Sequence, residues 1–434
     1  MTKLQKIVEP CKRIEGNGNL KILLKGDAID HVEFEIPELR GFENILVNKK
    51  HQDIPRIVSR ICGLCHASQT IVSNKAIEDI YGITPPSQSI ILRRILLIGE
   101  LIKSHAMHYF FQSFPDLLKI INFQEISNPY ELMQFDPQLT SSVFDLIKLG
   151  SEIDKIFGGR YVHLISCISG GVIYKPSQIN INLIRKLLQK GSSHAKYLIG
   201  NFIKLFSNKT PPSSFDLPKI NYLGLSNQGT YDRYKGKIVI KNYKNQFNFS
   251  EKDYPPYFDK DVGVFGVSFH RNNNMGLITG PIAREKINGI SATERSAPYF
   301  KKINDNWKDS ILFQNFLELI EIDYEIHQCL KLLDEDSLNE RYDLPDLGEI
   351  QKSEGIGILE APRGLLMHHY KINQNESVIE AKLFIATEIN IPLINFMTLK
   401  YARDLHKNEA IDKVKIKIIQ MVRAFDPCIS CATH

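Results

Sequence analysis

The chain has 434 residues, of which 43% are hydrophobic and 24% charged, close to the averages of globular proteins and unlike those of disordered chains or coiled coils. Its 54 Lys and Arg against 49 Asp and Glu leave a net charge of only +5, and the scattered basic residues argue against a nucleic-acid-binding protein. No apolar run reaches the roughly 18 residues that span a bilayer, and the first residues lack the apolar core of a signal peptide. We therefore expect a soluble, cytoplasmic protein with no transmembrane segment and no nucleic-acid partner.

Residues 1–60 are predicted to be rich in β-structure. The segments 20–26 and 28–36 alternate partly between apolar and polar residues, and the Gly26-Asp27 pair between them is typical of a turn. A short sheet is the expected result.

Residues 61–206 are predicted to form a helical core, because apolar residues recur in them at helical spacing. The longest helix is expected from about Ser87 to Phe114, where Pro115 would end it. This stretch is apolar on most sides, which is typical of a central helix surrounded by others. Further helices are predicted at 70–81, 141–157 and 180–206.

Residues 207–274 change in composition toward Asn, Tyr, Lys, Pro and Gly, with short β-like pieces, and we interpret them as a peripheral irregular or β insertion. Residues 275–434 return to helical patterns, pass through a strand-rich segment at 356–390 around a Pro-Arg-Gly turn, and end with a helix at 412–423 before a cysteine motif. The whole chain, 1–434, is thus predicted to be one domain of the mainly α (α+β) class. We expect a central bundle of long helices with small peripheral β-sheets.

Seven cysteines are present, and four of them form two C-x-x-C pairs, Cys62 with Cys65 and Cys428 with Cys431. Each pair places two sulfurs within one turn, so each can bind a soft metal ion from one side. Zinc ribbons hold their pairs about 15–20 residues apart, whereas Cys65 and Cys428 are 363 positions apart. Spacing alone supports structural zinc and a catalytic soft-metal centre equally. A thioredoxin-like redox pair is disfavoured, because neither pair opens a recognisable βαβ unit.

The residues around the cysteines carry a set of motifs that extends over nearly the whole chain. They are RIEG at 13–16, RGFE at 40–43, RICGLC at 60–65, EAPRG at 360–364 and DPCISCATH at 426–434. Together they resemble the large subunit of [NiFe] hydrogenases, and SHAMHYFFQSFPD, GGRYVH and GPIAR match further motifs of that family. The resemblance is closest to the cytoplasmic, cofactor-coupled group, which is linked to NAD(P), a deazaflavin coenzyme or heterodisulfide reductase.

The resemblance implies a Ni–Fe centre held by all four paired cysteines. Cys62 and Cys428 would bind nickel terminally, and Cys65 and Cys431 would bridge nickel to an iron that carries one CO and two cyanide ligands. Soft thiolates suit a nickel ion that changes its oxidation state. Cys428 would also accept the proton when H2 is cleaved heterolytically. Glu15 in RIEG would take that proton onward, and partial burial would raise its pKa toward neutrality.

Four further residues are implied around the open coordination site. Arg363 would point its guanidinium at this site, where a fixed cation polarises H2 and stabilises developing anionic character. Asp116 and Asp426 would hold this arginine, and Pro362 would lie beside the metals.

The resemblance also implies a magnesium ion bound by Glu43 and His434, together with a backbone carbonyl and waters. Few protein ligands suit an octahedral ion that keeps much of its water. In related enzymes a maturation endopeptidase removes a C-terminal extension after this histidine, and the sequence leaves open whether such an extension existed here.

Two positions depart from the family pattern. The family usually has histidine directly after RIEG and four positions after the second cysteine of the first pair, whereas this chain has Asn17 and Gln69. The second of these histidines normally donates a hydrogen bond to a bridging sulfur. Glutamine can donate through its amide but cannot take up a proton, so metal binding is expected to survive with altered redox tuning. No role is assigned to the other histidines in the motifs, His105, His108, His163, His368 and His369.

We therefore expect the catalytic subunit of a [NiFe] hydrogenase, an oxidoreductase that interconverts H2 with protons and electrons. Cys11, Cys167 and Cys329 are isolated and supply no iron–sulfur cluster, so a small subunit with such clusters is expected to take the electrons. Further electron-transfer subunits would be of flavin, ferredoxin-like or heterodisulfide reductase type. The alternative is a non-catalytic, complex I-like structural subunit with an empty or zinc-filled four-cysteine site, and retention of all four cysteines argues against it.

Overall fold

The computed structural model describes residues 4–37, 40–121, 126, 128–260, 267–269, 276–335, 338, 340 and 342–432. Its α-helices are α1 Phe42–Leu46, α2 Ile54–Val58, α3 His66–Tyr81, α4 Ser87–Met107, α5 Phe114–Ile120, α6 Pro129–Phe135, α7 Pro137–Gly158, α8 Gln178–Phe206, α9 Pro281–Asn288, α10 Ala297–Phe300, α11 Gln314–Leu333, α12 Ala386–His406 and α13 Ile411–Arg423. Its β-strands are β1 Leu4–Cys11, β2 Gly18–Lys25, β3 Ala28–Glu35, β4 Cys167–Ile168, β5 Gly171–Val172, β6 Asn221–Ser226, β7 Lys237–Lys241, β8 Gln246–Phe249, β9 Phe258–Lys260, β10 Val267–Phe269, β11 Leu277–Ile278, β12 Glu354–Ala361, β13 Gly364–Ile372 and β14 Val378–Phe384.

Four long helices, α4, α7, α8 and α11, pack side by side in the centre of the molecule. Helices α4 and α7 approach closely at two glycines, since a Cβ on Gly150 would lie 2.4 Å from the carbonyl oxygen of Gly99. The ring of Phe202 in α8 packs against the rings of Phe316 in α11 and of Trp307. The predicted central helix bundle is therefore present. Among the described residues, no helix has the length and apolar character needed to cross a membrane.

The N-terminal strands β1, β2 and β3 form an antiparallel sheet in that order. Leu20, Ile22 and Leu24 alternate with more exposed residues along β2 and are buried, as a sheet with one buried face requires. Helix α12 covers this sheet through contacts with β3. The predicted turn at Gly26 is present, and this glycine has a left-handed φ of 65°.

The C-terminal strands β12, β13 and β14 form a second antiparallel sheet that lies between two hydrophobic cores. Leu366 and Tyr370 face the main core, whereas Leu365 and Met367 face a smaller one. Strand β12 packs directly on α3, and a Cβ on Gly357 would lie 2.0 Å from a backbone oxygen of that helix. This contact fixes the EAPRG motif at the end of β12 beside the first cysteine pair at the start of α3.

The segment 207–274 contains strands β6, β7 and β8, which form a sheet with β11. Leu223 and Ile238 of this sheet belong to the smaller core, together with Met367 of β13. The N–H of Leu225 donates to the carboxylate of Glu360 at 2.7 Å. The segment thus supports the strands that carry the EAPRG motif.

The helices predicted at 70–81, 141–157, 180–206 and 412–423 are present within α3, α7, α8 and α13. The prediction that Pro115 ends the central helix was wrong. Helix α4 ends at Met107, a π-helical turn covers 108–113, and Pro115 lies in the first turn of α5, where a missing N–H costs nothing. The strands predicted at 356–390 end at Phe384, and the long helix α12 that follows was not predicted.

Candidate metal centre

Four cysteine thiols meet in the interior of the protein, close to both ends of the chain. The Sγ atoms of Cys62, Cys65, Cys428 and Cys431 all lie within 4.8 Å of one another, and the four residues are buried. The Cys428 sulfur is 3.5 Å from that of Cys62 and 3.8 Å from that of Cys65. All four are free thiols, so the structure brings the two predicted pairs together.

The first cysteine pair lies on the loop that leads into α3, and Cys65 directly precedes the first helical residue. The buried carboxylate of Glu100 in α4 accepts the N–H of Ala67 at 2.6 Å, which satisfies a free donor at the helix start. The N–H of Leu64 donates to the Cys62 sulfur at 3.2 Å. The helix start and this N–H both favour negatively charged sulfur.

The second pair lies on the segment after α13, which pairs with the N-terminal segment. The N–H of Cys428 donates to the Thr387 hydroxyl at 2.9 Å, and the N–H of Ile429 donates to the backbone oxygen of Glu15 at 3.0 Å. Gly16 has a left-handed φ of 81°, and a Cβ there would lie 2.9 Å from the Ile429 Cβ. A glycine is therefore needed for the two chain segments to approach this closely.

The four buried thiols form a donor set that fits soft metal ions. Hydrogen bonds from the other thiols, that of Cys428 first, lower the pKa of Cys62 well below its usual value, whereas burial raises the pKa of Cys428. Uncompensated negative charge is costly in the interior, so all four thiols can lose their protons together only when metal cations replace them. The chemistry of this site therefore fits a metal centre better than an apolar core.

The Glu15 carboxylate contacts the second cysteine pair directly. The Cys428 thiol donates to Glu15 Oε2 at 3.1 Å, and the N–H of Ser430 donates to the same oxygen at 3.0 Å. Burial, followed by the charge of Cys62, raises the pKa of Glu15. A carboxyl group with a raised pKa at this distance can take a proton from the sulfur and return it.

Arg363 lies on the turn between β12 and β13 and points into the site. Its Nη1 atom is 3.4 Å from the Cys65 sulfur and 3.1 Å from the Ser104 hydroxyl. Its Nη2 and Nε atoms donate to the carboxylate and the backbone oxygen of Asp426, each at 2.8 Å. Although burial opposes the charge, Asp426 raises the pKa of Arg363 well above its usual value. The guanidinium is therefore a fixed cation beside the thiols.

Arg284 of α9 holds the turn that carries Arg363. Its guanidinium donates to the backbone oxygen of Pro362 at 2.8 Å and to that of Ala361 at 3.1 Å. It also donates to the Glu360 carboxylate at 3.1 Å. Arg284 was not predicted as a functional residue, although it lies in the quoted GPIAR motif.

Asp116 does not hold Arg363, which corrects the role implied by the resemblance. Its carboxylate pairs instead with Arg13 of the RIEG motif and with Arg423 at the end of α13. Ser104 of α4, which precedes the π-helical turn, makes the contact with Arg363 instead. Asp116 thus joins the N-terminal segment to the helix that precedes the second cysteine pair.

One of the two departures from the family pattern lies at the site. The amide nitrogen of Gln69 donates to the Cys431 sulfur at 3.8 Å, whereas Asn17 is exposed. Nδ1 of His163, in the GGRYVH motif, is 2.8 Å from the backbone oxygen of Ser59, just before the first cysteine loop.

The predicted magnesium ligands are only partly described. Glu43 in α1 accepts the N–H of Leu383 at 2.7 Å through Oε1. His434 lies outside the described residues, so the magnesium site stays a prediction.

Three contacting residues were missed by the sequence analysis. Arg40 of the RGFE motif donates to the backbone oxygens of Ile61 and Ser430 and so ties the two cysteine loops together. Ser104 and Arg40 both lie in quoted motifs, which could have marked them. Thr387 lies on the unpredicted helix α12 and carries no motif signal.

Comparisons with known proteins identify relatives of this chain. A family model described as nickel-dependent hydrogenase matches residues 40–134 and 318–434. The F420-non-reducing hydrogenase of Methanothermobacter marburgensis has a subunit that is 28% identical, over 98% of this chain and 94% of its own length. The NAD-reducing hydrogenase HoxS subunit beta of Cupriavidus necator is 26% identical, over 99% of this chain and 94% of its own length.

Solved structures share the fold. A crystal structure of NAD+-reducing [NiFe]-hydrogenase in the H2-reduced state matches with a TM-score of 0.90 and 24% identity, and the match covers 100% of both chains. The Ni-Fe-Se hydrogenase from D. vulgaris Hildenborough matches with a TM-score of 0.71 and 18% identity, again over 100% of both chains. The predicted fold class is confirmed. On the family match, these full-length relatives and the shared fold, the chain belongs to the nickel-dependent hydrogenase family, as a large subunit of oxidoreductases that act on H2.

Proposed function

We propose that this chain is the catalytic subunit of a [NiFe] hydrogenase, which interconverts H2 with two protons and two electrons and passes the electrons to an iron–sulfur small subunit. The observation that supports this most is the pair of groups beside the thiols. Glu15 Oε2 is 3.1 Å from the Cys428 sulfur, and Arg363 Nη1 is 3.4 Å from the Cys65 sulfur. A structural zinc site needs only its four ligands, whereas proton transfer and stabilisation of charge require an acid–base group and a fixed cation.

The four thiolates would hold the metals in two ways. Cys62 and Cys428 would bind nickel alone, and Cys65 and Cys431 would be shared between nickel and iron. When bound, this centre supplies the redox-active metals at which H2 is cleaved.

The residues that line a small cavity beside the thiols have the chemistry that suits an iron with CO and cyanide ligands. The cavity has a volume of about 20 Å³ and adjoins Cys65 and Cys431. Leu366 and Ile385 form apolar walls, and Arg363 adds a hydrogen-bond donor. An apolar wall suits CO, which forms only weak hydrogen bonds, and a charged donor suits an anionic cyanide nitrogen.

Cys428 and Glu15 would carry the proton. As a thiolate, Cys428 is a base, and its sulfur lies within hydrogen-bonding distance of the Glu15 carboxylate. The N–H of Ser430 holds the carboxylate in place and stabilises its charged form, while burial stabilises the neutral form. Because these two influences oppose each other, Glu15 can both receive the proton and release it.

Arg363 would act through its fixed charge. Arginine does not lose its proton in proteins, so this residue can polarise a neighbouring molecule but cannot relay a proton. Asp426 orients the guanidinium through two hydrogen bonds from different nitrogens, which leaves Nη1 directed at Cys65 and Ser104. The buried ion pair therefore fixes the position of the charge before H2 arrives.

An exposed apolar face supports the small-subunit partner. The segment 161–174 carries large hydrophobic side chains that are at least 39% exposed, namely Tyr161, Val162, Ile165, Ile168, Ile173 and Tyr174. This face lies over the first cysteine loop, since a Cβ on Gly63 would lie 3.9 Å from the Val162 side chain. Apolar patches of this kind mark protein interfaces. A partner with iron–sulfur clusters would dock on this face, because it adjoins the loop that carries Cys62 and Cys65.

The remaining parts of the proposal rest on the resemblance and on the relatives. We assign magnesium to Glu43 and His434, and the cytoplasm as the location. Further electron-transfer subunits would be of flavin, ferredoxin-like or heterodisulfide reductase type, in line with relatives that are named as NAD-reducing or F420-non-reducing hydrogenases.

Infrared spectroscopy of the purified complex, paired with nickel and iron analysis, tests the proposed function. We expect one CO band and two cyanide bands, in a spectral window where protein groups hardly absorb, with equimolar nickel. Bands without nickel would indicate a chain that is still immature. A silent window with one zinc per chain would overturn the catalytic proposal in favour of a structural site.

A further inference from the structure

A chain of hydrogen bonds leads from Cys431 into strand β13. The Gln69 amide nitrogen is 3.8 Å from the Cys431 sulfur, and the Gln69 amide oxygen is 2.8 Å from His368 Nε2. His368 Nδ1 is 2.6 Å from the Tyr370 hydroxyl, which is 3.1 Å from the Ser73 hydroxyl. All five residues are at most 3% exposed, so these contacts are made without competition from bulk water.

The chemistry of the sulfur fixes the direction of the two hydrogen bonds nearest to it. A metal-bound thiolate can only accept, so the NH2 group of Gln69 must face Cys431 and its carbonyl oxygen must face His368. His368 must then donate from Nε2. Its Nδ1 atom is hydrogen-bonded to the Tyr370 hydroxyl, which donates in turn to Ser73 Oγ. Burial raises the pKa of Tyr370, which keeps that hydroxyl protonated. The bonds from His368 to Gln69 and from Gln69 to Cys431 both point toward the sulfur, an arrangement in which each bond polarises the next.

We propose that His368 is a positioning residue for the metal centre: it fixes the orientation of the Gln69 amide so that the NH2 group is held against the Cys431 thiolate. This inference rests on the proposed function, in which Cys431 is a bridging ligand. The Gln69–His368 pair thereby supplies the hydrogen bond that a single histidine at position 69 would otherwise make. Tyr370 acts one step further out, by holding the His368 ring in place through its Nδ1 atom.

An amide needs this support more than an imidazole does. Gln69 has a flexible side chain and two nearly isosteric orientations, and in the reversed one its carbonyl oxygen would repel the thiolate. His368 excludes the reversed orientation, because an Nε2–H group cannot face an NH2 group. Outer partners of this kind normally change metal affinity or activity by about 10–100-fold when removed.

The next residue along the strand provides a matched control. His369 lies on the opposite face of β13 and contacts Tyr254 and Glu354, each at 3.1 Å. A His369→Ala variant removes the same side chain from the adjacent position of the same strand, without touching Gln69. Any effect of strand packing alone should therefore appear in both variants.

The experiment compares His368→Ala, Tyr370→Phe, Gln69→Ala and His369→Ala in the purified complex, by infrared spectroscopy and by the rate of nickel loss to a chelator. We expect shifted CO and cyanide bands and about 10–100-fold faster nickel loss in Gln69→Ala and His368→Ala. Smaller changes in the same direction are expected in Tyr370→Phe, and none in His369→Ala. The double variant Gln69→Ala/His368→Ala should behave as Gln69→Ala alone, because His368 acts through the glutamine.

Several results would overturn the inference. They are unshifted bands and unchanged nickel loss in His368→Ala, equal effects of His368→Ala and His369→Ala, or additive effects in the double variant. If His368→Ala does not fold, Tyr370→Phe decides, since it removes a single oxygen from the chain and keeps the ring. Unchanged bands in that variant would then contradict the inference.

The inference and the proposed function can fail separately. A wild-type complex without CO and cyanide bands refutes the function, whatever His368 does. In that case, nitrogen NMR of the labelled histidines still tests the positioning role through the ring tautomer. Protonation of His368 at Nε2, with that proton no longer confined to Nε2 in Gln69→Ala, supports the inference. Protonation at Nδ1 instead contradicts it.

Discussion

Replacement of Glu15 by glutamine separates proton transfer from the other roles of this residue. The amide oxygen of the introduced glutamine can still accept from the N–H of Ser430, which in the wild-type chain lies 3.0 Å from Glu15 Oε2. The pairing of the backbone with Ile429 is also unaffected. Only the ability to accept and release a proton next to the Cys428 sulfur is lost.

The expected loss of activity follows from the role of an acid–base group. Such a group contributes about 10²–10⁴-fold to a rate, which corresponds to about 3–5 kcal/mol of activation free energy. Glu15→Asp keeps the carboxyl group but shortens the side chain by one methylene, so the oxygen moves about 1.5 Å farther from a sulfur that is now 3.1 Å away. We expect Glu15→Asp to lie between wild type and Glu15→Gln.

Turnover with H2 and a dye acceptor, together with exchange of H2 against D2O, measures this effect. Both rates should fall together in Glu15→Gln, while nickel content and the CO and cyanide bands stay as in wild type. A Glu15→Gln enzyme that retained more than a tenth of wild-type turnover, with an intact metal centre, would refute the assignment. Loss of nickel or of the bands would likewise show that Glu15 has a structural role.

The other predictions concern charge, packing and pH. Arg363→Lys keeps the positive charge, but a lysine cannot make all the contacts of the arginine at once. Turnover should therefore fall about 10²-fold while the metals are retained. Near-normal turnover would contradict the fixed-cation role. Gly150→Ala should destabilise the fold by about 1–3 kcal/mol, because α4 and α7 must move apart. Gly200→Ala has no atom within 4 Å of the added Cβ, so it should stabilise α8 by up to about 1 kcal/mol. The denaturant midpoints of the two variants test this difference. Although burial opposes it, neighbouring carboxylates, that of Asp426 first, raise the pKa of His108 to about 9. The stabilisation from its charged form is therefore fully present below about pH 6.5 and is lost as the pH rises through 9. This loss is about 3 kcal/mol, and it should be absent from unfolding curves of His108→Gln.

The metal-binding cysteines could be located from the sequence, and the family resemblance located two further residues of the site. Four thiolates in two short motifs restrict the choice to soft metals, and the RIEG and EAPRG motifs located Glu15 and Arg363. The contacts that orient these groups could not be located in this way. Thr387 supports Cys428 from α12, and this helix was missed because it contains Pro392 and follows directly on a strand.

Asp116 shows a second limit of sequence reasoning. A motif gives the order of residues but not the path of the backbone between them. A π-helical turn at 108–113 lies between Ser104 and Asp116, and of these two side chains Ser104 is the one that contacts Arg363. The same aspartate instead pairs with Arg13, because that arginine lies on the segment that runs beside the second cysteine pair.

The four thiols come from distant parts of the chain, so the metal site forms only in the folded protein. Cys62 and Cys428 are separated by 366 positions, and the segment with Cys428 is held by Glu15 from the N-terminus and by Thr387 from α12. These contacts join residues that are far apart in the sequence, so they depend on the tertiary fold. Metal binding stabilises the structure that forms the binding site. The metals should therefore stabilise the segments that carry Glu15 and Cys428 more than the helix bundle. Hydrogen exchange should therefore show protection gained on metal loading at 13–16 and 424–432, with little change in α7 and α8.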